Sequence, residues 1–131
     1  MNPSPLRSAE CPTNRKLATA EYRLDGITMR PAELDVHSAL SAETTFRFRE
    51  DGAVVWADYE GGPVARGFLA GVRIGDEVRF RYLQVSREGR VDGGESRCEI
   101  SSDARGMPCL TEHFSWATRQ GAGRNVFVAV D

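Results

Sequence analysis

The sequence predicts an all-β fold, an eight-stranded antiparallel barrel of up-and-down topology. Three observations carry this. From Ser41 onward apolar and polar residues alternate with period two, the pattern of half-buried strands. The connections between the alternating runs are short and glycine-bearing: Glu50-Asp51-Gly52, Gly61-Gly62, Gly75-Asp76, Arg87-Glu88-Gly89, Asp103–Gly106 and Gln120–Gly123. None of them is long enough for a helical crossover, so neighbouring strands must run antiparallel. Eight sequential strands around one core close most simply as a barrel, which leaves no free edge.

Taken in order, residues 1–20 differ from the rest. They hold three of the six prolines (Pro3, Pro5, Pro12) and little that packs. Arg7, Arg15 and Lys16 against Glu10 make this segment +2, which leaves −4 for the remainder of a −2 chain. A disordered or strap-like tail is expected there, with one domain over residues 21–131. Tyr22–Arg30 reads as a weak first strand, bent at Asp25-Gly26 and ended by Pro31. Pro31–Leu40 reads as either a helical turn or a loop. Strands then follow at about 41–49, 53–60, 64–73, 77–85, 92–101, 107–117 and 124–130.

The turns set the register. A two-residue Gly61-Gly62 turn places Trp56 opposite Gly67. A two-residue Gly75-Asp76 turn places Gly71, Leu69 and Gly67 opposite Phe80, Tyr82 and Gln84. Glycine facing a ring gives the ring room at a bend. A three-residue Glu50-Asp51-Gly52 turn adds Phe46, Phe48 and Val54 to the same face, and with Trp56 goes Asp58. The Arg87-Glu88-Gly89 turn adds Asp92, Gly94, Ser96 and Cys98. Arg47, Arg49, Arg66, Arg73, Arg79, Arg81, Glu95, Arg97 and Glu99 collect on the opposite face, and a one-residue slip would bury these charges. A two-residue Asp51-Gly52 turn would instead turn Trp56 outward. On the seventh strand Leu110, Phe114 and Trp116 share a face, and Glu112 lies between them.

The interior set therefore includes polar groups that an ordinary core would not choose: Asp58, Tyr82, Gln84, Asp92 and Glu112. Glu112, flanked by Leu110 and Phe114, would be desolvated, and its pKa should rise unless it is paired. That condition suits a general acid or base near neutral pH. It also suits a structural carboxylate bonded to Tyr82, Gln84 or an arginine. Several interior glycines favour some open volume. The expected pocket has walls of Phe46, Trp56, Leu69, Tyr82, Phe114 and Trp116 and polar anchors at Asp58, Gln84 and Glu112.

Other chemistries find little support. Three cysteines (Cys11, Cys98, Cys109) in no CxxC or Cys/His spacing give no zinc site. They suit a reducing cytoplasm, and the register puts Cys98 and Cys109 on opposite faces. A charge of −2 and interleaved acids argue against nucleic acid, despite exposed arginines with Phe68 and Phe127. No apolar run is long enough for a signal peptide or a membrane span. Gly121-Ala122-Gly123 precedes a strand rather than a helix, so it is a hairpin turn and not a phosphate loop.

Four segments together resemble a family of short bacterial proteins labelled N-acetylglutamate synthase-like. They are Glu43-Thr44-Thr45-Phe46, Val55-Trp56-Ala57-Asp58-Tyr59-Glu60-Gly61-Gly62, Phe80-Arg81-Tyr82 and Leu110-Thr111-Glu112-His113-Phe114-Ser115-Trp116, within a match from about Asp25 to the C-terminus. The chain departs from that pattern in its long tail, in Phe114 where Trp is expected, and in a shorter turn near Ser101–Gly106. The resemblance implies a small β-barrel, and its label implies acetyltransferase-type activity. More remotely, the barrel is similar to the lipocalin, avidin and fatty-acid-binding architectures.

The leading expectation is a cytoplasmic barrel that binds a small, largely apolar molecule. The alternative is an isomerase, cyclase or lyase that needs no cofactor, with Glu112 as general acid or base and Tyr82 as hydrogen-bond donor. A third reading is an interaction module that uses an arginine-rich face, as in a homodimer.

Overall fold

The alternation is realised in eight strands: β1 (Thr28–Glu33), β2 (Thr45–Asp51), β3 (Val54–Gly61), β4 (Val64–Ile74), β5 (Glu77–Ser86), β6 (Val91–Ser102), β7 (Pro108–Trp116) and β8 (Ala122–Ala129). In this computed structural model, residues 22–130 are described. The tail expected over residues 1–20 lies outside them. Each strand pairs antiparallel with the next, and β8 pairs with β1 to close the barrel. Interior positions form one core, which includes Met29, Phe46, Phe48, Tyr59, Leu69, Phe80, Leu110, Phe114 and Phe127.

The register expected for β4 to β6 is found. Gly67, Leu69 and Gly71 face Gln84, Tyr82 and Phe80. Gln84, Phe80 and Val78 face Asp92, Ser96 and Cys98 across the next seam. The rings take the space that the glycines leave. A Cβ on Gly67 would collide with the Tyr59 ring, and one on Gly94 with the Tyr82 hydroxyl. The interior glycines thus serve ring packing more than open volume.

On β3 the expected faces are reversed. Asp51 pairs with Val54, so the turn is Gly52-Ala53, and Phe46 and Phe48 face Tyr59 and Ala57. Val54, Trp56 and Asp58 consequently point outward. The Gly61-Gly62 turn differs too. Gly61 pairs with Val64, and a bulge between Tyr59 and Gly61 brings Tyr59 opposite Gly67. Each connection moves the register by an odd number of residues, which exchanges the two faces of a strand. Trp56 lies half-exposed beside Arg49 and Ala70. Asp58 makes ion pairs with Arg47 and Arg66 on the surface.

Two further residues change sides. Arg73 has the parity of Gly67 and Gly71, and its buried side chain pairs with Glu50 at 3.1 Å. Phe127 is 4% exposed and faces Leu110. Cys98 is free and buried, while Cys109 is disulfide-bonded.

β1 begins later than expected and contains Pro31. It pairs with β8 from Met29 to Glu33, with an irregularity after Pro31, but with β2 only at Thr28 and Met29. Proline has no N–H for a ladder, and the β1–β2 pairing stops short of it. The chain then leaves the wall as a connection over residues 34–44, in turns rather than a helix, across one end of the barrel. The other end is floored by residues 22–27. There Leu24 is buried and donates its N–H to Glu50 Oε1 at 2.8 Å.

Candidate functional site

The end crossed by residues 34–44 is the mouth of the barrel. Asp35 N–H donates to Asn125 Oδ1 at 2.9 Å. His37 N–H donates to Asp35 Oδ1, and the His37 ring lies 3.0 Å from the same oxygen. Those two contacts hold the Asp35 carboxyl below its usual pKa. At the other foot, the buried Thr44 hydroxyl donates to Gly61 O. Between the feet, Trp116 Nε1 donates to His37 O at 2.9 Å, and Leu40 packs on the core.

Beneath this cap lies a small interior cavity of about 30 Å³, room for roughly two waters. Phe46, Leu69, Tyr82, Gln84, Glu112, Phe114 and Trp116 all line it. The structure therefore brings together seven of the nine residues singled out from the sequence. Trp56 and Asp58 are the two it does not. Tyr59, Phe80, Asn125 and the cap residues Ser38, Ala39 and Leu40 also line the cavity. Tyr59 was hidden by the β3 register. Asn125 carried a signal, since its partner on β7 is Glu112, and two polar residues at one level of an apolar wall mark a site. An open groove of about 350 Å³ lies outside the cap, lined in part by Pro63, Glu88, Arg90 and Arg119. Gln84 and Ser38–Leu40 border both spaces.

The polar groups form two clusters. In the first, Glu112 accepts from Ser96 Oγ at 2.7 Å and from Asn125 Nδ2 at 2.9 Å. Burial pushes its carboxyl above the usual range, and those two hydrogen bonds only partly offset the push. The expected partners Tyr82, Gln84 and arginine are not the ones it has. Tyr59 donates to Gln84 Oε1 at 2.8 Å, and Tyr82 donates to Ser115 O at 3.3 Å. Burial, and then the Glu112 charge, raise both phenols, so each hydroxyl keeps its proton. Cys98 sits opposite Glu112. Its thiol is likewise raised by burial, which suppresses nucleophilic character.

The second cluster is nearer the mouth. Asp92 accepts from the Thr118 hydroxyl at 2.6 Å and pairs with Arg90 at 2.9 Å and Arg119 at 3.4 Å. Burial alone would raise its pKa, but the Thr118 bond and the two arginines outweigh that and hold it low. Arg119 also lies over the Trp116 ring, 4.9 Å from its centroid. Trp116, Tyr82 and Phe114 stack edge to face along the wall below. An aromatic slot with a few fixed polar groups is suited to holding a small molecule in one orientation.

A family model described as avidin-like protein matches residues 22–130. No curated protein and no solved structure matches the chain. The N-acetylglutamate synthase-like label finds no support in these comparisons.

Proposed function

The chain belongs to the avidin-like family, a family of small-molecule-binding barrels, and from that premise we propose that it binds a small, largely apolar molecule beneath the cap. Phe46, Leu69, Phe80, Phe114 and Trp116 supply the apolar wall. Affinity would come chiefly from apolar area removed from water.

The observation that carries this reading is the Gln84 amide. Its Oε1 accepts the Tyr59 hydroxyl. Its Nε2 group has no hydrogen bond among the described residues, although Gln84 is 6% exposed and lines the cavity. A buried donor without an acceptor costs about 1–3 kcal/mol, and a ligand oxygen would recover that. The ligand is thus apolar in body with one hydrogen-bond acceptor. A 30 Å³ space does not enclose such a molecule, so binding includes the lifting of Ser38–Leu40.

The test uses Trp116 as reporter in a Trp56→Phe variant, with native mass spectrometry of the purified chain to find a co-purifying compound. A ligand at this site changes Trp116 emission saturably, and Gln84→Leu weakens it roughly tenfold to a hundredfold. Binding that Gln84→Leu leaves unchanged would refute the site.

The second reading is an isomerase, cyclase or lyase without cofactor, favoured by the raised pKa of the buried Glu112. Both its oxygens are already engaged by Ser96 and Asn125, and Tyr82 is turned to Ser115, which favours the binder. Glu112→Gln separates the two. It abolishes turnover in an enzyme and only tunes affinity in a binder.

A further inference from the structure

The outer face of the β7–β8 seam is shut off from water, unlike the rest of the wall. Leu110, Glu112 and Phe114 point inward on β7, as do Asn125 and Phe127 on β8. Cys109 and Val126 are one residue out of step with them and so point outward. Both are nevertheless 0% exposed. Outward valines on other strands are not covered in this way: Val54, Val72 and Val91 are 49%, 47% and 56% exposed. Cys109 pairs with Val128, and Thr111 with Val126, so the two covered residues are close neighbours on one seam. The described connections cross the mouth and the floor rather than this side. The Glu33–Arg124 ion pair stands on the mouth side of Val126, away from Cys109. A second, independent observation concerns the sulfurs. Cys109 is disulfide-bonded and Cys98 is free. The chain's remaining cysteine is Cys11.

We propose that residues 1–20 supply the cover, as a strap laid along the outside of β7 and β8 and fastened there by a disulfide between Cys11 and Cys109. Reach permits it. The described chain starts at Tyr22, whose carbonyl accepts from Arg73 at the floor. Residues 12–21 separate Cys11 from Tyr22, and ten residues extend to about 35 Å. An eight-stranded barrel is only about 16 Å across, backbone to backbone, and Cys109 lies near the floor end of β7. Charge favours it as well, since the segment is +2 against −4 for the remainder. The bond forms by two exchanges with a small-molecule disulfide such as oxidised glutathione. The Cys11 thiolate attacks one sulfur of that oxidant and expels one thiol. The Cys109 thiolate then attacks the Cys11 sulfur of the mixed disulfide and expels the second. The two cysteines lose two protons and two electrons, and the oxidant becomes two thiols. Cys98 takes no part, because it faces inward opposite Glu112. The strap backs the same two strands whose inner faces carry Glu112 and Asn125, so it braces the wall that positions them.

The test uses the full chain, equilibrated with oxidised glutathione, alkylated and digested with trypsin without reduction. Cleavage after arginine puts each cysteine in its own peptide: Cys11 in 8–15, Cys98 in 98–105 and Cys109 in 106–119. The expected product is 8–15 joined to 106–119, with 98–105 carrying an alkylated thiol. Seating of the strap is read by brief proteolysis of the native protein. Cleavage at Arg15 and Lys16 should be at least about tenfold faster in Cys11→Ser than in the oxidised parent, since a covered segment is cut only when it opens. The link closes a loop of nearly the whole chain, so dithiothreitol should lower the parent's melting temperature by at least about 5 °C and leave that of Cys11→Ser unmoved. A Cys109 peptide recovered as a free thiol overturns the proposal. So does one joined to Cys98 or to a second chain, or a strap cut equally fast in both proteins. None of these readouts involves a ligand, so failure here leaves the reading of the mouth standing.

Discussion

Glu112→Gln should make the protein progressively more stable than the parent as pH rises. Below pH 4.5, the carboxyl's unperturbed value, it is neutral in the folded and the unfolded chain, and its contribution to stability is fully present. Above 4.5 the unfolded chain releases the proton while the folded chain holds it, because burial raises the folded pKa. Stability then falls by about 1.4 kcal/mol for each pH unit until the folded pKa is passed. Glutamine has no proton to lose. It also fits the polar network, since its oxygen can accept from Asn125 and its amide can donate to the Ser96 hydroxyl, which serves as donor or acceptor. Near pH 4.5 the two proteins should agree within about 1 kcal/mol, the worth of one hydrogen bond. The carboxyls held low in the folded chain, among them Asp35, Asp92 and Asp103, act in the opposite sense as pH falls. They are common to both proteins and cancel in the difference. Urea unfolding at steps from about pH 4 to pH 8 measures it. Parallel stability curves across that range would show that Glu112 ionises normally and would refute the account of a desolvated carboxyl in the wall.

Three other outcomes are expected. Gly67→Ala drives a Cβ into the Tyr59 ring and should cost about 1–3 kcal/mol in thermal or urea unfolding; in a Tyr59→Leu background that penalty should vanish. Arg73→Ala leaves the buried Glu50 with the Leu24 N–H and, as its one charged partner among the described residues, the exposed Arg23, and should cost about 3–5 kcal/mol, read from the urea midpoint. Trp116→Phe removes the bond to His37 O. Amide exchange over residues 36–41 should then quicken by roughly twofold to tenfold, the equivalent of one hydrogen bond, with β5 and β6 unaffected.

The sequence made β4 to β6 legible because two unambiguous turns bracket β5, and each seam repeats the same separation of rings and charges. It misled at β3 for a specific reason. Gly52 locates a turn only to within a residue, since its left-handed backbone, φ 61°, suits turns of more than one length. A one-residue error exchanges the faces, and the bulge at the far end of β3 allowed a second turn to agree with the wrong answer. The correcting signal was Asp58. Burying Trp56 drags a carboxylate in with it, whereas burying Val55, Ala57 and Tyr59 costs nothing comparable. The cap was beyond reach of pattern reading for another reason. Asp35 and Asn125 are 90 residues apart, and no local period records a bond of that span.

The two ends of the barrel differ in what opening them would take, and that difference supports the proposal that a ligand enters at the mouth. At the floor, Glu50 is held by Arg73, by the Leu24 N–H and by Arg23, and Leu24 is fully buried. Pulling residues 22–27 away strips a buried carboxylate of partners and exposes a leucine, a cost of several kcal/mol. At the mouth, the feet of the cap at Asp35 and Thr44 can stay bound while Ser38–Leu40 lifts. That movement breaks the Trp116–His37 bond and bares the half-buried face of Leu40. Together these amount to roughly 2 kcal/mol. A cap closed by that margin is open in about one molecule in thirty, so it lowers a ligand's intrinsic affinity only by about that factor. The Gln84 amide and the aromatic wall beneath are then reached without disturbing the ladder that holds them in place.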